Sequence, residues 1–307
     1  MSDERGDPLQ SSRGTGSAGP QAASPLPQER GEDAQRRRGE GLFLRHFLIA
    51  LQFFTRIPVT GRLADWVGFS PAMLRASAAH FPGVGWVVGG LTAGVFWGLT
   101  QALPAQPASV WVAAVLGTVF SVWLTGAFHE DGLADTADGL GGAVSRERAL
   151  DIMKDSRIGS YGAIALVLAL VTKVALLGLL AQAGGARLAA LALFAAHVTS
   201  RLMPLLVIRT LAHVGDTPSS KSKPLAESIA TRGLVVGLLW WVPALALAGW
   251  LAPGAPWLPA VLGALVGLAW MWRLLQRRLG GFTGDGLGAT QQLSELLFYL
   301  GMALALG

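Results

Sequence analysis

The sequence predicts an all-α fold: a polytopic integral membrane helical bundle. It reads as about seven transmembrane helices plus an N-terminal helix that is interfacial or packed into the bundle. Three observations carry this. Hydrophobic residues make up 52% of the 307 and charged residues only 14%, where a soluble domain carries about 25% charge. Seven uncharged or nearly uncharged stretches are each long enough to cross a bilayer, which takes about 20 apolar residues as a helix. The charges that remain are confined to particular segments. An ordinary soluble globular protein, a disordered chain and a coiled coil are excluded. No cysteine is present, which removes a disulfide framework, a thiolate nucleophile and a cysteine-built zinc site.

Residues 1–40 are rich in Gly, Pro, Ser, Gln and Arg. They hold too little apolar surface to offset the entropy of ordering, and read as a disordered basic tail. The tail is a spacer or an arm that rests on anionic lipid. No signal peptide is expected at the start, because the first apolar run begins at Leu42. Residues 41–307 read as a single transmembrane catalytic domain. Its first run, Leu42–Val59, carries Arg45, His46, Gln52 and Arg56 and ends near Pro58. That polarity suits a helix at the surface or against the bundle better than a spanning one.

The expected spans are Phe81–Leu103, Ser109–Phe128, Tyr161–Gln182, Leu188–Leu211, Leu234–Leu251, Trp257–Leu274 and Leu287–Leu306. In the first, Gly90, Gly94 and Gly98 repeat every fourth residue. Such a small-residue face is expected to admit a neighbouring helix closely. With seven spans, 21 of the 24 Lys and Arg fall on one side: residues 1–79, 129–160, the 209–232 region and Arg273, Arg277 and Arg278. The other side holds only Arg187; Lys173 and Arg201 lie inside spans. The positive-inside rule makes the rich side cytoplasmic, N-terminus included. The basic pI of about 10.2 then reflects topology, with no nucleic acid as partner.

Acidic residues follow the same asymmetry. Where the second span leaves the membrane, residues 126–142 read GAFHEDGLADTADGLGG. On a helix, Asp131, Asp135 and Asp138 fall within about 60° of one face, and Glu130 points about 100° away. Carboxylates on one stripe repel unless a cation lies between them. Oxygen ligands without Cys or a His pair favour Mg²⁺ or Mn²⁺. Asp151 and Asp155 follow at i, i+4 in RALDIMKDSRIGSYG, residues 148–162. Asp135, Asp138, Asp151 and Asp155 are the expected metal ligands, a two-metal clamp for phosphate chemistry. Asp131, His129 and Glu130 are catalytic candidates, with the role of His129 open between base, ligand and plain interface residue.

Lys154 and Arg157 lie beside Asp151 and Asp155 and are the expected ligands of substrate phosphate oxygens. Asp285, in GGFTGDGLGA at 280–289, either caps the last helix with Thr283 or marks an anion site at that helix N-terminus. Glu295 and Arg201 are ionisable residues inside spans, functional candidates by depth alone. Arg201 joins Asp285 among the expected substrate-phosphate residues, or else pairs with Glu295 or an Asp.

These motifs resemble the cobalamin synthase (adenosylcobinamide-GDP ribazoletransferase) family. The resemblance covers most of the chain after residue 42: LQFFTRIPV at 51–59, FPGVGWVVGG at 81–90, HEDGLADTADGLGG at 129–142, the 148–162 segment, SRLMP at 200–204, and GFTGDGLGA at 281–289 with Glu295. It implies a Mg²⁺-dependent phosphotransferase of the bacterial inner membrane, multi-pass, with a cytoplasmic active site. Its substrates would be adenosylcobinamide-GDP and α-ribazole or its 5′-phosphate. Its products would be adenosylcobalamin, or its phosphate, and GMP, in the final steps of cobalamin biosynthesis. The oligomeric state stays open, a homo-oligomer included, and the lipid bilayer is the remaining partner.

A more distant similarity is to the CDP-alcohol phosphotransferases. Asp135-x-x-Asp138-Gly139 and Asp151-x-x-x-Asp155 reproduce the acidic parts of their signature, but its Ala-Arg pair is missing and the intervening segment is shorter. A phospholipid-making enzyme of that class is the alternative reading. A transporter is the remaining one, disfavoured because the acids cluster at one membrane face and no internal repeat is found.

Overall fold

The apolar runs form helices in a computed structural model of the chain, which describes residues 41–214 and 228–306. The expected tail, and Lys221 and Lys223 of the basic region, lie outside the described residues. In chain order the helices are α1 Leu42–Phe54, α2 Gly61–Val67, α3 Pro71–Ser77, α4 Phe81–Ala102, α5 Ser109–Thr125, α6 Phe128–Gly141, α7 Arg146–Met153, α8 Ser160–Thr210, α9 Thr231–Leu251, α10 Trp257–Leu279 and α11 Gly284–Leu304. Residues 43–307 cluster as one unit, and among the described residues there is no β-strand beyond one isolated bridge, His213 to Phe282.

By length and composition four helices qualify as spans, or five counting the bent pair α5 and α6. Two features restore the larger number. Helix α8 runs for 51 residues but breaks at Gly185, where φ is 84° and ψ 157°. Lys173 and His197, on opposite sides of that break, both approach the Glu295 carboxylate, at 2.7 and 3.6 Å. A straight helix would hold them about 36 Å apart. The chain therefore reverses at Gly185, and α8 is a hairpin of two limbs, 160–184 and 186–210. Helix α11 is polar for a span because Thr290, Gln291, Gln292, Ser294 and Glu295 lie along it. All but Gln292, at 4%, are no more than 1% exposed, because α11 is the central helix, packed against α10, α8 and α6.

At 13 residues, α1 is only about 20 Å long, too short to cross. It packs on the bundle through Ile49, Ala50, Leu51 and Phe54 and leaves Leu42, Phe43 and Leu44 exposed.

The small-residue face of α4 needs correction. Gly90, Gly94 and Gly98 are exposed, and a Cβ on any of them would meet nothing within 4 Å. The close approach is made by Gly85 and Gly89. A Cβ on Gly85 would lie 2.7 Å from the Val198 Cα, and one on Gly89 would lie 2.9 Å from the Phe194 carbonyl oxygen of α8. The fourth-residue spacing was the right signal, but it repeats on two faces of this helix.

Candidate functional site

Helix α5 stops at two consecutive left-handed residues, Gly126 (φ 66°, ψ 28°) and Ala127 (φ 60°, ψ 18°). Glycine takes this conformation freely; alanine pays about 1–2 kcal/mol for it. The chain turns by 89° here and starts α6 in a new direction. That turn ends the second span at Thr125 rather than Phe128. It carries HEDGLADTADGLG across the end of the bundle as a helix of its own.

Three close contacts fix α6. Gly132 crosses α11 so tightly that a Cβ would lie 2.8 Å from the Asp285 carbonyl oxygen. Gly139 crosses α7, where a Cβ would meet the Ala149 carbonyl oxygen at 2.9 Å. At the C-terminal end, Arg278 donates to the Leu140 and Gly142 carbonyls (2.8 and 2.7 Å), satisfying acceptors that a helix end leaves open. In turn Arg146 donates to the Leu279 carbonyl at the end of α10 (2.7 Å). Two of the basic residues on the charge-rich side are thus tied to helix ends.

The stripe forms as expected: Asp131, Asp135 and Asp138 share one face of α6. The charges of Asp131, Asp138 and Asp285 all act on Asp135. Asp285 stands in the first turn of α11. Its neighbour Thr283 is the helix cap, accepting from the Gly286 N–H at 3.1 Å. The acids gathered on α6 are thus completed by Asp285.

Asp138 has a further duty. Its carboxylate accepts the N–H groups of Gly159 (2.7 Å) and Gly162 (2.8 Å), the cap residue and third residue of α8. This is an N-cap supplied from another helix. Both glycines are required, because a Cβ on either would overlap the carboxylate. The two glycines of the GSYG run thus leave room for the Asp138 carboxylate.

The other predicted metal ligands are placed elsewhere. Helix α7 meets α6 through Ala149 and Met153; Asp151, about 200° around from Ala149, is exposed. Asp155 is bonded twice over to Arg157 (2.6 Å to Nη2) on the surface. That guanidinium holds the Asp155 carboxyl down at about 2. Among the described residues no group of three or more His, Cys, Asp or Glu stands at metal-holding geometry. The clamp of Asp135, Asp138, Asp151 and Asp155 is not assembled. Among the described residues, no other side chain bonds to the Asp131, Asp135 or Asp285 carboxylates. Lys154, the residue that ends α7, is exposed.

Behind α6 lies a polar network that sequence reasoning largely missed. Glu295, about 16 Å along α11 from its start, pairs with Lys173 at 2.7 Å. It also accepts from the Tyr299 hydroxyl (3.0 Å) and Gln291 (2.7 Å). Gln291 donates further to Ser200 (2.9 Å), and Gln292 donates to Gln291 (3.1 Å) and to Glu130 (3.0 Å). Glu130 indeed points away from the acid stripe and is buried against α11. Arg201 donates to the His197 carbonyl and to its Nδ1, both at 3.0 Å, and not to Glu295 or any Asp. Lys173 had been noted only as a charge within a span. Its signal was the same as that of Glu295: a lone ionisable residue in an apolar run.

A family profile described as Cobalamin-5-phosphate synthase matches residues 46–303. Among similar curated proteins is an adenosylcobinamide-GDP ribazoletransferase of Albidiferax ferrireducens, 58% identical over 278 residues, covering 86% of this chain and 99% of the relative. One of the same name from Polaromonas naphthalenivorans is 54% identical, covering 86% and 99%. One from Shewanella halifaxensis is 43% identical, covering 86% and 96%. No solved structure matches the chain.

Proposed function

Because the chain belongs to the cobalamin-5-phosphate synthase family, we propose that it joins adenosylcobinamide-GDP to α-ribazole or its 5′-phosphate and releases GMP. The observation that carries the site assignment is the acid stripe of α6 completed by Asp285 of α11. The acceptor hydroxyl oxygen bonds to the phosphorus attached to cobinamide. The P–O bond bridging the two phosphates breaks, GMP departs, and the hydroxyl proton passes to a carboxylate of the stripe, with Asp131 the candidate. Asp135, Asp285 and Asp131 do not stand at metal-holding geometry as a set, but they offer only hard oxygen atoms and repel one another, so a Mg²⁺ that arrives with the diphosphate would find in them its protein ligands. When bound, that cation supplies neutralising charge to the diphosphate oxygens. Asp138 positions rather than reacts: its cap fixes the start of α8 against α6. Lys154 is free to meet phosphate, whereas Arg157 must first leave Asp155.

The stripe lies on the side rich in Lys and Arg, which supports a site at the cytoplasmic face of the bacterial inner membrane. GMP release by the detergent-purified protein tests the reading. Release requires both substrates and Mg²⁺, and Asp135→Asn lowers it by about 100-fold or more without altering the unfolding midpoint. Well-folded wild type that releases no GMP, yet turns over a CDP-alcohol substrate, would overturn it.

A further inference from the structure

A small cavity of about 30 Å³ lies where α1, α4, α6, α8 and α11 meet, lined by Phe54, Phe81, Phe128, His129, Arg201 and Gln291 among others. Its walls are aromatic, yet two nitrogen-bearing side chains line it, and one of them, Arg201, is short of a partner. Arg201 is 3% exposed, and its Nε has no hydrogen-bond partner. No carboxylate forms an ion pair with Arg201 among the described residues; its only bonds are to His197. His129 is 6% exposed and packs its ring on those of Phe54 and Phe128. Gln291 is different, since both ends of its amide are already engaged. The charges of Glu295 and Glu130 act on Arg201 but neither bonds to it, so its Nε is left to the cavity at a cost, and it stands beside an imidazole that can also donate.

We infer that Arg201 and His129 form a phosphoryl-binding pocket, distinct from the carboxylate stripe and independent of its cation. Guanidinium and imidazole N–H groups match the oxygens of a phosphate. The volume, room for about two waters, excludes a ring system, so a phosphoryl group would enter with its oxygens at Arg201 and His129 and its ester outside. Gly284 and Gly288 of α11 border the same cavity, so it lies one helix turn from Asp285. This rests on the proposed function for the source of the phosphate: the acceptor's 5′-phosphate or the donor's diphosphate.

Two experiments separate these points. The first uses no turnover: thermal unfolding in detergent with EDTA, titrated with inorganic phosphate. The midpoint rises by roughly 2 °C or more in wild type and in Asp135→Asn, and not in Arg201→Gln. Arg201→Lys recovers part of the rise, and His129→Ala loses most of it, which covers the case in which Arg201→Gln fails to fold. A rise that persists in Arg201→Gln and His129→Ala, or no rise in wild type, overturns the pocket whatever the enzyme's reaction. The second compares acceptors. A loss of kcat/KM in Arg201→Gln of about 30-fold for α-ribazole 5′-phosphate but not for α-ribazole assigns the acceptor's phosphate. An equal loss for both assigns the diphosphate, and no loss for either overturns the pocket's part in the reaction.

Discussion

Asp138 and Lys173 show how single residues hold the site in place. Asp138→Asn keeps the shape but offers one acceptor oxygen where two N–H groups wait. One of Gly159 and Gly162 is left unpaired, at about 1–3 kcal/mol, read as a lowered unfolding midpoint in detergent. Lys173→Met strands the buried Glu295 carboxylate among Gln291, Tyr299 and His197. Removing one member of a buried pair costs about 3–5 kcal/mol. Adding Glu295→Gln returns most of it, since the amide still bonds Tyr299 and Gln291 without a charge. A double-mutant cycle on unfolding measures the coupling; purely additive losses would show that the two charges do not depend on each other. Such pairings were not legible in the sequence. Lys173 and Glu295 lie on separate helices, and nothing local in either apolar run names its partner.

At the scale of the element, two glycines test two different causes. Gly185 has a positive φ of 84° and open space where a Cβ would stand, whereas Gly132 meets the Asp285 carbonyl oxygen at 2.8 Å. Gly185→Ala is therefore expected to cost only the backbone penalty of a φ/ψ region kept by glycine, about 1–3 kcal/mol, and to leave GMP release intact at low temperature. Gly132→Ala pushes α6 off α11 and is expected to lower GMP release out of proportion to its effect on the midpoint. The helices themselves were legible, because an apolar run of some 20 residues has few alternatives in a membrane. The stripe on α6 was legible from its i, i+4, i+7 spacing. The 89° turn before it was not, since Ala127 is no signal for a left-handed residue. The joining of Asp285 to the stripe follows from that turn, and was missed with it.

For the molecule as a whole, the charge asymmetry makes a prediction that the absence of cysteine allows to be checked cleanly. A single cysteine at Lys154 is expected to react with an impermeant maleimide only from the cytoplasmic side of inner-membrane vesicles. One at Arg187 is expected to react only from the opposite side. Labelling of both from one side would break the proposed topology. The overall architecture came through from composition because it depends on a sum over many residues. The expected clamp of four aspartates did not, because it depends on how α7 is rotated: Ala149 and Met153 face α6 and turn Asp151 outward.

The pairing across the bundle also sets a timetable. Lys173 leaves the ribosome 122 residues before Glu295, about 6–24 s at ordinary rates of synthesis. During that interval the first limb of α8 sits in lipid with an ammonium and no carboxylate to meet it. A chain that ends before α11 never receives that carboxylate, nor the helix against which α6, α8 and α10 close. Nascent chains halted there should be short-lived targets of membrane proteases, and the last helix should be the one whose arrival commits the protein to survive.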